Sequence, residues 1–234
     1  MALSDEASVI NSNPSGLGFL DEMQIQTSWS QLYGLKELSS GDFYFAYSAG
    51  RLGLGLGYNT FGKSDYYQES VTTVAFGYEV FVFFSTGLSF KYMKVSFSPS
   101  YGSHTTSGID LGAIFRLNEK VQFGTKIENL NKPKIFDSSD DISRLLKIGL
   151  ATYPFDNLTL TFDYEDEPGY DEKIHFGQEL KVFPQLDLRF GIQTAPPRYS
   201  LGTGFDFNKF KIDYAYLSHS VLGATHKVSF SLDL

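Results

Sequence analysis

Apolar and aromatic residues alternate with Gly, Ser, Thr or charged residues from about residue 22 to the end of the chain. The stretch 158–165 reads Leu-Thr-Leu-Thr-Phe-Asp-Tyr-Glu, and 186–193 and 227–234 repeat the pattern. A period of two residues is typical of a β-strand with one apolar and one polar face. No helical period interrupts the series after residue 40, so the pattern predicts an all-β fold.

The alternation divides into about fourteen predicted strands, an even number that suits a closed antiparallel barrel. Their ranges are 22–30, 41–49, 51–61, 65–80, 81–97, 108–118, 120–130, 143–154, 156–166, 172–183, 185–195, 198–208, 209–218 and 224–234. Strands of this length match the roughly 9–11 residues that cross a bilayer when a strand is tilted. The connections alternate between tight turns and longer polar loops, which predicts that both termini lie at the tight-turn end.

Alternation alone does not say which face is wet, because soluble β-sandwiches and lipocalin-like barrels alternate too. Three features favour a transmembrane barrel. The polar faces are rich in glycine, including Gly53, Gly55 and Gly57, which inside a narrow barrel make room for a lumen or a plug. Aromatic residues cluster near both strand ends, as two membrane interfaces require. The chain also ends on a strand, which must pair with the first strand to leave no edge in lipid.

Composition removes several classes of function. The 234 residues are 42% hydrophobic and 16% aromatic, which suits an ordered domain, and no apolar run reaches the ~18 residues of a transmembrane helix. The absence of cysteine excludes disulfides, zinc ribbons and a cysteine nucleophile. A net charge of −8 without a Lys/Arg block argues against nucleic acid as a partner.

The first residues, Met-Ala-Leu-Ser-Asp-Glu, lack the basic and apolar regions of a secretory signal. We therefore expect either a cytoplasmic chain or a mature form with an added start Met. The barrel pattern favours the second, located in the bacterial outer membrane.

The two ends of the chain carry motif-like segments. Residues 13–18, Asn-Pro-Ser-Gly-Leu-Gly, resemble the Asn-Pro-Ala-Gly-Leu-Ala opening of the PorV/PorQ-like outer-membrane proteins of the FadL superfamily. Residues 213–216, Asp-Tyr-Ala-Tyr, and the final strand are similar to that family's closing strands. The resemblance implies a fourteen-stranded barrel over residues 21–234, with residues 1–20 folded into the lumen as a hatch. Its hatch residues are Asn13, Pro14, Ser15 and Gly16, with Ser15 in place of the family's usual Ala.

The same N-terminal residues also allow a simpler interpretation. Ser4 could cap a short helix with Asp5 and Glu6 in its first turn, and Asn13-Pro14 would end it. Such a helix would pack on the sheet.

Charged residues of both signs also fall on the inward faces, and we expect Arg116, Lys126 and Arg189 to line the lumen with the glycines. Opposite signs on neighbouring strands predict cross-strand ion pairs that stabilise the wall or hold the hatch.

No cofactor or catalytic centre is predicted. Residues 50–57 have glycine at every second position and no helix follows, which is unlike a dinucleotide loop. The four histidines lack metal-ligand spacing. The acidic run 165–172 supplies weak oxygen-ligand candidates for a cation, but a solvated loop tip is the simpler interpretation. These candidates are Glu165, Asp166, Glu167 and Asp171, with Asp137, Asp140 and Asp141 as a second acidic cluster.

Three functional hypotheses follow, none of them enzymatic. The first is passive transport of a small hydrophobic molecule across the outer membrane, gated by the hatch. The second is an anchoring or interaction barrel that associates with secretion-system components, as PorV and PorQ do. The third is a soluble β-sandwich binding module. Membrane lipids are partners in the first two.

A closed membrane barrel resists unfolding by detergent at room temperature. We therefore expect unheated protein to migrate differently from boiled protein on a denaturing gel. Unchanged migration would contradict a closed barrel.

Overall fold

A computed structural model describes residues 1–4, 6–64, 66–98, 102–135 and 141–234. In this part of the chain, fourteen antiparallel strands form one closed barrel in which sequence neighbours pair and β14 pairs with β1. The strands are β1 (Gln24–Gln31), β2 (Ser39–Ala49), β3 (Leu52–Lys63), β4 (Tyr67–Phe81), β5 (Phe84–Phe97), β6 (Ser103–Asn118), β7 (Val121–Glu128), β8 (Leu145–Phe155), β9 (Leu158–Asp166), β10 (Lys173–Phe183), β11 (Leu186–Gln193), β12 (Arg198–Phe207), β13 (Phe210–Leu217) and β14 (Thr225–Asp233). The predicted fold class is confirmed, and the closed sheet excludes the sandwich alternative.

The strand prediction differs most at β6, which begins five residues earlier than expected. Residues 103–107 pair in register with Tyr92–Ser96 of β5. Their sequence, Ser-His-Thr-Thr-Ser, has no apolar alternation. The strand therefore continues on backbone hydrogen bonds beyond the apolar zone, where hydrophobicity gives no signal.

The outward face of the barrel is apolar around its circumference. On β11 and β12, Leu188 is 46% exposed and Leu201 is 50% exposed, and both point away from the interior. Glycine, small polar or charged residues alternate with these side chains and point inward. An apolar surface of this extent is unsuited to water and matches the lipid-facing band of a membrane barrel.

The barrel wall is continuous across the described strands. The register shifts lie between Glu79 and Phe81, Arg116 and Asn118, Thr152 and Phe155, and Lys181 and Phe183, all beside two-residue turns. The closing pair β1–β14 runs without a shift from Gln24↔Asp233 to Gln31↔His226. The strand pairing therefore leaves no gap in the wall at mid-height of the barrel.

The N-terminal residues fold into the interior of the barrel. They form a short helix, α1 (Val9–Ser12), followed by a 3-10 helix over Pro14–Phe19. The helix follows Ser8, later than the Ser4-capped alternative, and ends at Asn13, because the residue before a proline avoids helical backbone angles. Two short 3-10 helices, Leu32–Gly34 and Lys36–Leu38, connect β1 to β2. In the described ranges, no helix combines the length and the apolar character needed to cross a membrane.

Candidate functional site

Residues 1–4 and 6–20, here called the plug, lie against a row of inward-facing glycines on β3–β8. The glycine row consists of Gly53, Gly77, Gly87, Gly112, Gly124 and Gly149. Most of its members face each other directly across neighbouring strands, as in Gly53↔Gly77, Gly77↔Gly87, Gly87↔Gly112 and Gly124↔Gly149. The row forms a shallow band in the inner wall that side chains would otherwise fill.

The plug approaches this band with its backbone. A Cβ atom added at Gly77 would lie 2.5 Å from the backbone nitrogen of Gly18 and 2.7 Å from the carbonyl oxygen of Pro14. One added at Gly87 would overlap the backbone of Pro14 and Ser15. Only glycine allows two backbones to come this close, so the wall must have glycine at positions 77 and 87 for the plug to fit.

Asn13 is the central polar contact of the plug and is fully buried. Its Nδ2 donates towards the carbonyl oxygens of Met1 at 3.0 Å, Thr125 at 3.3 Å and Ala113 at 3.4 Å. Its Oδ1 accepts from the backbone nitrogen of Ser15 at 3.3 Å and from the Ser15 hydroxyl at 2.7 Å. One side chain thus links the plug to itself and to two strands, β6 and β7.

Further side chains of the wall hold the plug. The Ser85 hydroxyl donates to the carbonyl oxygen of Ser15 at 2.7 Å. The Arg116 guanidinium lies 3.7 Å above the ring of Phe19. Such stacking stabilises a desolvated cation by roughly 2 kcal/mol.

Glu6 connects the plug to the opposite side of the barrel. Its carboxylate lies 2.8 Å from Lys211 Nζ and accepts a 3.3 Å hydrogen bond from Gln26. Burial raises the pKa of Glu6, but the attraction and hydrogen bond of Lys211 outweigh it and hold that pKa below its ordinary value. The carboxylate is therefore charged at neutral pH, and the plug is tethered on two sides.

The hatch and glycine residues singled out from the sequence lie where plug and wall meet. Gly16 packs on Val9 within the plug, and Pro14 contacts the wall at Gly87. Gly53 faces Leu17, whereas Gly55 and Gly57 both face Ile10. These wall glycines thus face the plug and not open space.

Lys126 belongs to a chain of charges on the inner wall, here called the ion ladder. It consists of Lys91, Asp110, Lys126, Glu128, Lys147, Glu165 and Lys173 on β5–β10. Lys126 lies 3.2 Å from both Asp110 and Glu128, and it also donates to the carbonyl oxygen of Asn11 in α1 at 2.6 Å. Its four lysines share three carboxylates, so each carboxylate lies between at least two lysines, and Lys126 also holds the plug.

The acidic candidates for a cation do not come together. Glu165 is engaged by Lys173 at 2.7 Å and by Lys147 at 3.5 Å. Asp166 ends β9, whereas Glu167 and Asp171 lie in the loop beyond it. Across the described ranges, no group of three or more His, Cys, Asp or Glu side chains could hold a metal ion. Asp137 and Asp140 lie outside the described residues, and Asp141 pairs with Lys134 at 3.3 Å.

The plug leaves a cavity of about 840 Å³ beside itself, which is lined by the plug and by residues of β1, β2 and β7–β14. Its polar wall lining includes Gln26, Ser28, Glu128, Lys147, Thr159, Thr161, Glu179, Arg189, Ser200, Asp213, Lys227 and Ser229. Arg189, expected in the lumen, lies here and pairs with Glu179 at 2.6 Å and with Asp213. Lys227 pairs with Asp42 at 3.0 Å. Hydroxyls and paired charges therefore line the cavity together with the apolar side chains of Tyr44, Tyr153 and Ala215 from the wall and of Met1, Leu3 and Val9 from the plug.

No family model matches the chain, and no curated protein matches its sequence. Solved structures of similar fold exist. A deltaS2 mutant of the monoaromatic hydrocarbon channel TodX superposes with a TM-score of 0.79 at 12% identity, covering 97% of this chain and 94% of that one. The monoaromatic hydrocarbon channel CymD gives 0.72 at 13% identity, covering 100% and 94%. A Pseudomonas aeruginosa FadL homologue gives 0.66 at 14% identity, covering 99% and 95%. At these identities the likeness concerns the fold alone, which this chain shares with the two hydrocarbon channels and the FadL homologue.

Sequence reasoning missed three members of the glycine row, Gly77, Gly87 and Gly149. Gly77 and Gly87 lie at unequal distances from the turn between β4 and β5, and they pair directly because the register shifts between Glu79 and Phe81. Alternation and turn position alone therefore did not reveal the pair. Paired glycines on adjacent inward faces indicate a close backbone approach. Alternation places Asp110 and Glu128 of the ion ladder on the inward face, but it does not show which lysines they pair with.

Adding one methyl group at Gly87 should loosen the plug. Overpacking against backbone costs roughly 1–3 kcal/mol, so in Gly87→Ala we expect amides of residues 8–20 to exchange hydrogen about tenfold faster or more. The matched control is Gly191→Ala, because a Cβ there meets the movable Ser200 hydroxyl at 2.5 Å and no plug atom. Equal exchange in both variants would contradict the packing described.

Proposed function

We propose that the protein is a channel of the bacterial outer membrane in which residues 1–20 act as a hatch for a small molecule. The observation that carries this proposal is the glycine row, which fits the plug closely. The barrel itself is closed by strand pairing and not by the plug. The hatch is joined to β1 only through residues 21–23. Its release would therefore leave the barrel intact.

The location follows from the apolar outer face and from the fold shared with channels. TodX and CymD are monoaromatic hydrocarbon channels. By analogy of fold, this chain would be a passive channel and not an enzyme. The sequence leads us to expect a small hydrophobic cargo.

The direction of passage is along the barrel axis. Each strand from β2 to β5 pairs on both sides in unbroken register at mid-height, so the wall offers no lateral exit there. The plug lies inside the barrel, between β3–β8 and the cavity. Movement of the plug would open the tight-turn end of the cavity.

A second candidate is an anchoring barrel that serves a secretion system, as in PorV- and PorQ-like proteins. One observation favours it: the plug is fastened by Asn13, by Lys126 and by the Glu6–Lys211 pair, which suits a barrel that never opens. Such a barrel would conduct nothing even when the plug is loosened moderately.

Removal of residues 2–20 tests the hatch. We expect the full chain in a planar bilayer to show little KCl conductance and the deletion to conduct at least several-fold more, because the lumen behind the plug is polar and hydratable. Heat-dependent gel migration verifies that the deleted barrel is folded.

Asn13→Ala provides a second variant that keeps the chain length. Loss of its hydrogen bonds leaves buried carbonyls unpaired at roughly 1–3 kcal/mol, so frequent brief openings are expected. Asn118→Ala, which removes a turn hydrogen bond to Lys120 outside the plug, is the matched control. If both folded plug variants conduct no more than the full chain, the hatch proposal fails and the anchor is favoured.

A further inference from the structure

The two halves of the barrel wall treat the plug differently. In the half formed by β10–β12, the inward glycines are Gly177, Gly191, Gly202 and Gly204. A Cβ added at any of them would meet wall atoms, such as Thr161 Oγ1 or Ser200 Oγ at 2.5 Å, and none from the plug. The plug therefore packs closely on β3–β8 and leaves the rest of the wall, here called the open half, facing the cavity. On that side its contacts include the ion pairs of the Met1 amino group with Asp163 and of Glu6 with Lys211.

The open half presents hydroxyl groups. Thr159, Thr161 and Ser200 all line the cavity from inward-facing strand positions. The apolar side chains of the lining are fewer than the polar ones: the wall adds Tyr44, Tyr153 and Ala215, and the plug adds Met1, Leu3 and Val9. Phe190 points outward. Pockets for apolar ligands are lined predominantly by hydrophobic and aromatic side chains, and this cavity is not.

The charges of the cavity are already paired. Arg189 is held by Glu179 and Asp213, Lys147 by Glu128 and Glu165, and Lys227 by Asp42. An ionic solute would have to break such a pair to gain a strong contact. A hydrocarbon would have to displace water from hydroxyls and ion pairs without replacing its hydrogen bonds, which is unfavourable.

The cavity also extends along most of the length of the strands that line it. It reaches from Thr159, next to the turn between β8 and β9, to Glu128 and Lys147 at the opposite strand ends. At ~30 Å³ per water, its volume of about 840 Å³ corresponds to roughly 28 water molecules. A small hydrated solute fits within this space.

We propose that the cavity takes small uncharged solutes rich in hydroxyl groups, and not hydrocarbons, with Thr159, Thr161 and Ser200 exchanging hydrogen bonds with the solute. This assignment rests on the proposed channel function and names its substrate class. It separates this chain from the hydrocarbon channels whose fold it shares.

The test compares two readouts of the full chain in lipid: KCl conductance, which reports a channel, and osmotic swelling of liposomes in L-arabinose, which reports the solute class. Because swelling sums the brief hatch openings of many molecules, we expect arabinose-driven swelling of the full chain above that of protein-free liposomes even though its KCl conductance is low. Deletion of residues 2–20 should raise both readouts several-fold. The triple variant Thr159→Val, Thr161→Val, Ser200→Ala removes three hydroxyls without adding bulk. It should swell at least about threefold more slowly while its KCl conductance stays within twofold.

The matched control is Thr203→Val on the lipid-facing side of β12, which should leave both readouts unchanged. The substrate assignment is overturned if KCl passes but arabinose does not, or if liposomes with the triple variant swell as fast as those with the wild type. It is also overturned if saturating toluene blocks the KCl conductance while arabinose leaves it unchanged. Absence of both KCl conductance and swelling, in the full chain and after deletion of residues 2–20, would instead contradict the channel function itself.

Discussion

The close approach of two backbones is the constraint on which the interior of this barrel depends. At Gly77 and Gly87 the plug lies so near the wall that no side chain fits between them. Polar contacts between plug and wall are few, among them those of Asn13 with Thr125, Lys126 with Asn11 and Glu6 with Lys211. The position of the plug is therefore fixed by shape first and by these contacts second. The glycine row thus decides which half of the barrel is filled and which half stays open.

The buried charges follow from the same arrangement. A narrow barrel in lipid can keep ionic side chains inside only if they are paired, because a lone charge away from water is strongly unfavourable. Lys126, fully buried, satisfies this rule with Asp110, Glu128 and the carbonyl oxygen of Asn11. Pairing on the filled side stabilises the plug, whereas pairing on the open side leaves a polar surface without free charge.

Much of the architecture could be predicted from the sequence, because a lipid-facing strand must alternate. The strand number, the closed barrel and the inward side of Arg189 all follow from that period of two. The early start of β6 could not be predicted, because polar strand ends outside the apolar zone carry no hydrophobic signal. The partners of the charged residues could not be predicted either, since cross-strand distances depend on register, which alternation alone does not fix.

The interior was harder to predict than the wall for a physical reason. An inward glycine is compatible with a lumen or with a plug, and only the register that aligns Gly53, Gly77, Gly87 and Gly112 distinguishes them. Likewise, the weak cation candidates at 165–171 looked equivalent in sequence, yet Glu165 points inward to two lysines while Glu167 lies in a loop.

The most direct test of this account is cross-linking of the plug to one wall and not to the other. The chain has no cysteine, so Ile10→Cys with Gly57→Cys can be oxidised in the membrane without competing thiols. A Cβ at Gly57 lies 3.1 Å from the Ile10 side chain, which is within reach of a disulfide. The account predicts an intramolecular cross-link in this pair and none in Ile10→Cys with Gly202→Cys, as measured by mass spectrometry. Equal cross-linking in both pairs, or none in the first, would contradict it.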